Sequence, residues 1–112
     1  MNKKNWITII IILAVILLSV IVLIRPHPET EKEITQCIAD NSILYVQLGC
    51  HACKAQEDLF GENYQYLNIV DCFYDNEECL KQQISATPTW IINGEKIIGV
   101  QTLEQLKVLT GC

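Results

Sequence analysis

The order of hydrophobic and polar positions divides the chain into a long apolar run and a mixed region that follows it. No charged residue lies between Trp6 and Ile24, where Thr8 and Ser19 carry the only hydroxyl groups. An α-helix over this run would be about 28 Å long at ~1.5 Å per residue, close to the ~30 Å of a bilayer's hydrocarbon core. We therefore predict a transmembrane anchor over residues 6–24.

A cleaved signal peptide is the competing interpretation of the apolar run. Such a peptide has an apolar stretch of roughly 7–15 residues that ends in a small-x-small cleavage site. The run here is longer, and residues 24–28 offer no such site. The sequence therefore favours an uncleaved anchor. Lys3 and Lys4 precede it, so the positive-inside rule places residues 1–5 in the cytoplasm and residues 35–112 outside it.

The region beyond the anchor begins with a predicted linker over residues 25–34 and continues in a β-α-β-α-β-β-α order. Strands are predicted at Ile43–Leu48, Tyr64–Val70, Thr89–Ile92 and Lys96–Val100, and helices at Ile34–Asp40, His51–Phe60, Asn76–Gln83 and after Thr102. The first β-α-β unit should be parallel, whereas Asn93-Gly94 signals an antiparallel hairpin. We therefore predict an α/β domain with a mixed four-stranded sheet.

Two predicted helices show apolar residues at helical spacing. Ala52, Ala55 and Leu59 fall on one face of the helix that follows the first strand. In the last helix, which Thr102 caps, the leucines at positions 103, 106 and 109 share a face.

Charge and cysteine content restrict the function of this domain. All 13 acidic residues of the chain lie beyond the apolar run, and the net charge of the whole chain is −5. An acidic domain of this size excludes a basic nucleic-acid binder, a polytopic transporter and a multidomain enzyme. Six cysteines among 112 residues also argue against a reducing cytosol.

The chemistry centres on the motif Cys50-His51-Ala52-Cys53, which follows the first predicted strand and opens a helix. Free N–H groups and the helix dipole stabilise a thiolate at that position, and a protonated His51 would lower the pKa of the Cys50 thiol further. Cys50 can then attack a disulfide, and Cys53 can resolve the mixed disulfide. We therefore predict a redox-active pair, with His51 and Ala52 as modulators of its reactivity.

Two other uses of these cysteines stay open at this stage. Cys50 and Cys53 could bind zinc or copper together with Cys72 and Cys79, in a module without redox turnover, although the spacing of the second pair is wider than usual. The first pair could also be an inert structural disulfide. Alkylation distinguishes the uses, because a metal site protects four thiols, whereas a redox pair cycles between dithiol and disulfide.

Thr87-Pro88 precedes the third predicted strand. A cis bond occurs in only about 5–6% of X-Pro pairs in folded proteins, so a plain turn proline is the default from sequence. Trp90 is assigned to packing rather than to substrate contact.

A longer set of motifs carries a more specific signal. It comprises Tyr45, Cys50-His51-Ala52-Cys53-Lys54, Gln56, Phe60-Gly61, Val70-Asp71-Cys72, Cys79, Pro88-Thr89-Trp90, Asn93-Gly94, Gly99-Val100-Gln101, Leu103, Leu106 and Gly111-Cys112. Together these motifs resemble the thioredoxin fold, and in particular the thioredoxin-like domain that is fused to bacterial vitamin K epoxide reductase homologues. The resemblance runs over residues 37–112.

The resemblance implies a role for each residue of the site. Cys50 would be the nucleophile and Cys53 the resolving thiol. Pro88 would be cis and face the cysteine pair, while Thr87 would offer backbone hydrogen bonds to a bound substrate strand. The redox-active disulfide would serve without a further cofactor and without a metal.

The resemblance also implies two structural disulfides, Cys72–Cys79 and Cys37–Cys112, and a kind of partner. The domain would exchange electrons with secreted or membrane protein thiols and disulfides, and with a quinone-linked membrane oxidoreductase of the vitamin K epoxide reductase kind. The predicted function is thus that of a thiol–disulfide oxidoreductase, held at the cell membrane by a single span with its redox domain on the extracytoplasmic side.

Two positions depart from the pattern of this family. Gly49 stands where these proteins usually carry an aromatic residue, which would open one side of the site. Leu44, six residues before Cys50, replaces the acid that thioredoxins bury in this strand. Proton transfer to and from Cys53 must then use another group or water.

Overall fold

The apolar run forms one continuous helix, α1, over Lys3–Ile24. In the computed structural model, which describes residues 2–24 and 31–112, the helix ends where the predicted span ends and begins three residues earlier. Its side chains are exposed throughout, and it is long and apolar enough to cross a membrane.

A second helix, α2, covers Glu31–Asp40. It begins three residues before the predicted Ile34, so the last part of the predicted linker over residues 25–34 is helical, while residues 25–30 lie outside the described residues. Two glutamates in the first turn of α2 suit the positive end of the helix dipole. The helix is also anchored by burial of Thr35 and Ile38.

The mixed four-stranded sheet that the sequence predicts is present. Its strands are β1 (Ser42–Val46), β2 (Ile69–Asp71), β3 (Thr89–Ile92) and β4 (Glu95–Ile98), in the order β2-β1-β3-β4. β1 is parallel to β2 and antiparallel to β3, which pairs with β4 as an antiparallel hairpin. Asn93 and Gly94 turn this hairpin with φ of 51° and 80°, as a type I′ turn requires.

The helices that follow β1 are α3 (His51–Phe60), α4 (Asn76–Lys81) and α5 (Leu103–Thr110), with a 3₁₀ helix at Gly61–Tyr66. This element order and the strand order give the thioredoxin-like fold that the sequence predicts. β1, β4 and α4 each end two residues before their predicted ends, β1 and β4 also begin one residue early, and α3 begins and ends as predicted.

The prediction of a strand over Tyr64–Val70 is wrong for most of its length. The chain leaves α3 at Gly61, where φ is +54°, and turns through the 3₁₀ helix before β2 begins at Ile69. The ring of Tyr66 in this turn lies under the Lys32 ammonium of α2, 5.0 Å from the ring centroid. The 3₁₀ helix therefore packs against α2 instead of extending the sheet.

The core lies between the sheet and the helices. Its buried residues include Ile38, Leu44, Val46, Phe60, Leu67, Trp90, Ile92 and Leu106. Trp90 is completely buried, which confirms its assignment to packing. In α3 the buried residues are Cys53, Gln56 and Phe60, whereas the face with Ala52, Ala55 and Leu59 is exposed.

The ends of the domain are joined covalently. Thr102 caps α5, because its Oγ1 accepts a hydrogen bond from Gln105 N at 3.2 Å while Gln105 Oε1 accepts one from Thr102 N at 2.9 Å. Beyond α5, Cys112 forms a disulfide with Cys37 of α2, with Cα atoms 6.0 Å apart. The disulfide ties the first helix of the domain to its last residues.

Candidate active site

The cysteine pair lies at the junction between β1 and α3. After β1 ends at Val46, the chain turns so that Cys50 N donates to Gln47 O at 3.1 Å. Gly49 has a φ of +84° within this turn, a conformation that a side chain would strain. The turn leaves Cys50 as the N-cap residue of α3, at the positive end of the helix dipole.

The two sulfur atoms differ in accessibility. Cys50 is half-buried, whereas Cys53 is only 6% exposed. They form a disulfide with Cα atoms 5.2 Å apart, and Cys50 Sγ also accepts a hydrogen bond from Cys53 N at 3.1 Å. A substrate sulfur can therefore reach Cys50 directly, while Cys53 lies behind it.

The segment before β3 brings Thr87 and Pro88 to the same site, as the sequence analysis expects. Thr87 Oγ1 lies 3.5 Å from Cys50 Sγ and donates to it, and the Thr87 carbonyl oxygen is 3.6 Å from the same sulfur. The Thr87–Pro88 peptide bond is cis, and Pro88 is buried. Thr87 thus presents a hydroxyl and a carbonyl group to the sulfur that is open to a substrate.

His51 and Ala52 lie in the first turn of α3 with exposed side chains. Gly49 is exposed as well. None of the three covers the cysteine pair, so this side of the site is open to a partner protein.

The other four cysteines form the two disulfides that the resemblance implies. Cys72 and Cys79 are bonded to each other with Cα atoms 5.6 Å apart, and Cys37 is bonded to Cys112. The four sulfurs of the alternative metal site are therefore held in two separate disulfides. Within residues 2–24 and 31–112, no group of three or more His, Cys, Asp or Glu side chains is placed to hold a metal ion.

A cavity of about 400 Å³ opens beside the cysteine pair, and sequence reasoning missed it. Polar and sulfur-bearing residues line it at Gln47, Cys50, Cys53, Lys54, Glu57, Tyr64 and Asp71. Burial raises the pKa of the Tyr64 phenol, and the negative charges of Glu57 and Asp71 raise it further. A signal for this cavity existed in the spacing, because Glu57 follows Cys53 by four residues and so shares its helix face.

Asp71, at the end of β2, joins the two loops at the edge of this cavity. Its Oδ1 atom accepts hydrogen bonds from Leu48 N at 3.2 Å and from Phe73 N at 2.9 Å. Leu48 and Phe73 are each 58% exposed. One carboxylate oxygen therefore fixes both the turn that leads to Cys50 and the loop that carries Cys72.

No protein-family profile matches the chain. Among solved structures, it is similar to the NTD_N/C domain of alkylhydroperoxide reductase AhpF from Enterococcus faecalis (V583), with 21% identity, a TM-score of 0.48 and coverage of 76% of this chain and 45% of that one. It is also similar to oxidised thioredoxin from Plasmodium falciparum, with 22% identity, a TM-score of 0.47 and coverage of 73% of this chain and 90% of that one. The chain thus spans less than half of the first of these structures.

Proposed function

We propose that the chain is a membrane-anchored thiol–disulfide oxidoreductase that works outside the cytoplasm. Its Cys50–Cys53 pair would exchange electrons with thiols and disulfides of other proteins. The observation that carries this proposal is the arrangement of the pair: an accessible Cys50 Sγ at the N-cap of α3, with Cys53 buried behind it and already in disulfide contact.

The proposed reaction has two exchange steps. The Cys50 thiolate attacks a substrate disulfide, a bond forms between Cys50 Sγ and one substrate sulfur, and the other substrate sulfur leaves with the electron pair and takes up a proton. Cys53 then loses its proton and attacks Cys50 Sγ, which releases the second substrate sulfur as a thiolate. Two electrons pass to the substrate, and the reverse sequence oxidises a substrate dithiol.

The surroundings of Cys50 favour the thiolate that starts the reaction. The Cys53 N–H group donates to Cys50 Sγ at 3.1 Å, and the Thr87 hydroxyl donates to it at 3.5 Å. Hydrogen bonds to an ionised sulfur and the positive end of a helix dipole both lower a thiol pKa. A lower pKa increases the fraction of Cys50 that is ready to attack near neutral pH.

The membrane part of the proposal rests on α1 and on the cysteines. α1 is long and apolar enough to span a bilayer, and Lys3 and Lys4 before it favour a cytoplasmic N-terminus. All six cysteines are paired, which suits an oxidising compartment. The redox domain would then face the extracytoplasmic side of the cell membrane.

The partner that we propose is a quinone-linked membrane oxidoreductase of the vitamin K epoxide reductase kind. The resemblance of the motifs over residues 37–112 supports it, and the anchor would hold the domain at the membrane, where such a partner resides. In this arrangement the partner would re-oxidise the Cys50–Cys53 pair, and the chain would oxidise secreted proteins. A different membrane donor would make the same pair a reductase or an isomerase.

Substitution of Cys53 by serine in the native membrane tests the redox role. Cys53→Ser should stall as a mixed disulfide through Cys50, which non-reducing electrophoresis detects and mass spectrometry of the trapped species identifies. The matched control is the double variant Cys50→Ser/Cys53→Ser, which should trap nothing. An absence of trapped species in Cys53→Ser under both oxidising and reducing conditions would contradict the proposal.

The orientation of the anchor is tested by single new thiols, because the six natural cysteines are already bonded. Val108 is 83% exposed in the redox domain, and Asn2 precedes α1. A membrane-impermeant maleimide should label Val108→Cys in intact cells, and label Asn2→Cys only after the membrane is opened. The opposite labelling pattern would place the redox domain in the cytoplasm.

A further inference from the structure

The inference concerns the proton of the resolving cysteine, and it rests on the proposed function. Cys53 attacks as a thiolate, yet its side chain is only 6% exposed, so bulk water has little access to its proton. The strand before the pair offers no carboxylate for this purpose, because the completely buried residue six positions before Cys50 is Leu44. Another group must accept the proton of Cys53.

The cavity beside the pair contains such a group. Cys53 and Glu57 both line it, and its volume of about 400 Å³ is large enough for several water molecules. Glu57 is half-buried, and it lies one helical turn after Cys53 in α3. Side chains on a helix lean toward its N-terminus, so the Glu57 side chain leans toward the turn that carries Cys53.

We propose that Glu57 exchanges the proton of Cys53 through water in this cavity. In the resolving step, the Cys53 thiol gives its proton to the Glu57 carboxylate, and Cys53 Sγ bonds to Cys50 Sγ. The bond between Cys50 and the substrate sulfur breaks, and that sulfur leaves with the electron pair and is protonated by water or by the Glu57 carboxylic acid. In the reverse direction, Glu57 returns the proton when Cys53 is released as a thiol.

Four charged or titratable groups face Glu57 from the elements around it. Lys54 and Asp58 share α3 with it, and the Lys54 ammonium lies 3.6 Å from Glu57 and 3.3 Å from Asp58. Tyr64 of the 3₁₀ helix lines the same cavity, as does Asp71 of β2. Both neighbouring acids and the lysine must therefore be separated from Glu57 in any test.

Asp71 is the competing carboxylate, and its hydrogen bonds argue against it. Its Oδ1 atom already accepts two backbone N–H groups, from Leu48 and Phe73, which fix the carboxylate to the loops at the end of the sheet. Glu57 has a longer side chain, and its only contact at hydrogen-bonding or ion-pair range that we observe is the exposed one with Lys54. Such an exposed pair contributes little stability, so the Glu57 carboxylate is free to change protonation.

The test separates the two exchange steps in the full chain, solubilised in detergent, with the active pair reduced. One equivalent of an aromatic disulfide reagent, whose thiol product absorbs visible light, is mixed in by stopped flow. A first release of product reports attack by Cys50, and a second release reports resolution by Cys53. Cys53→Ser should show the first release alone, which identifies the phases.

Glu57→Gln should slow the second release at neutral pH by about tenfold or more, in keeping with the contribution of general acid–base groups, and leave the first release unchanged. The second release should also become more steeply dependent on pH, because hydroxide must then remove the proton. Glu57→Asp should restore part of the rate. Equal second-release rates and pH profiles in Glu57→Gln and the wild type would overturn the inference.

Two matched variants identify other causes. Asp58→Asn removes the other acid bound to Lys54 without altering the cavity lining, so a slow second release in this variant would assign the effect to the lysine's charge and not to proton exchange. A slow second release in Asp71→Asn but not in Glu57→Gln would assign the role to Asp71. Absence of the first release in the wild type would instead contradict the proposed function itself.

Discussion

The indole Nε1 of Trp90 donates a hydrogen bond of 3.0 Å to the side-chain Oε1 of Gln56, and both residues are completely buried. The same Oε1 atom accepts a second bond from Gln101 N at 2.7 Å, and Gln56 Nε2 donates to Gln101 O at 3.0 Å. One glutamine thus joins α3, β3 and the segment before α5. Its amide group satisfies three polar groups that would otherwise be unpaired in the core.

Substitution of Gln56 should therefore destabilise the domain strongly. Gln56→Ala leaves Trp90 Nε1 and Gln101 N without acceptors, and each unsatisfied buried group costs about 1–3 kcal/mol. We expect the free energy of unfolding to fall by about 3 kcal/mol, measured by urea denaturation of the detergent-solubilised chain with circular dichroism. Trp90→Phe removes one donor and leaves the Gln101 bonds intact, so it should lose less. Equal losses in the two variants would contradict this assignment.

The two structural disulfides should differ in their contribution to stability. They close loops of very different length, with sequence separations of 75 for Cys37–Cys112 and 7 for Cys72–Cys79. Loop-closure entropy gives about 4.5 kcal/mol for the long loop and about 2.5 kcal/mol for the short one. Replacing both cysteines of each pair by serine should reproduce this order in urea denaturation. A larger loss from the short pair would show that native-state contacts, and not loop entropy, dominate.

Much of the fold could be predicted because local signals agree with the final contacts. Asn93-Gly94 specifies its hairpin through residues that tolerate positive φ, and Thr102 caps α5 through its own side chain. The segment after Gly61 could not be predicted in the same way. Its apolar residues suit a strand, but burial of Leu67 and contact of Tyr66 with α2 select a 3₁₀ helix, and such contacts are not local.

The site shows the same division between local and tertiary information. The position of Cys50 at a helix N-terminus follows from the motif and the strand before it. The cavity with Glu57, Tyr64 and Asp71 forms only where α3, the 3₁₀ helix and β2 meet, so no single segment reveals it. For the same reason the apolar spacing of Ala52 gave no indication that the opposite face of α3 would be buried.

Stability should decrease at alkaline pH because of two tyrosines. Burial raises the pKa of Tyr45 above its ordinary value of 10.0, as do the charges of Glu78 and Asp75, and burial likewise raises that of Tyr64. A raised pKa in the folded state means that the contribution is complete below the unfolded value and is lost as pH rises through the folded value. The free energy of unfolding should therefore fall above pH of about 10.

The double variant Tyr45→Phe/Tyr64→Phe tests this dependence, because it keeps both rings and removes both phenol groups. Urea denaturation at a series of pH values should show a shallower alkaline decrease than in the wild type. An unchanged slope in the variant would assign the alkaline loss to other groups.

The hydroxyl of Thr87 should control the reactivity of Cys50. It donates to Cys50 Sγ at 3.5 Å, and a hydrogen bond to an ionised sulfur stabilises the thiolate. Thr87→Val keeps the shape of the side chain but removes the donor, so the pKa of the Cys50 thiol should rise. A rise of one unit corresponds to about a tenfold lower thiolate fraction at a pH below that pKa. The rate of iodoacetamide alkylation of the reduced pair should fall accordingly, with its pH profile displaced to higher pH. Thr87→Ser retains the hydroxyl and should keep the wild-type profile. If Thr87→Val and Thr87→Ser gave the same profile, the methyl group and backbone of residue 87, and not its hydroxyl, would be what Cys50 senses.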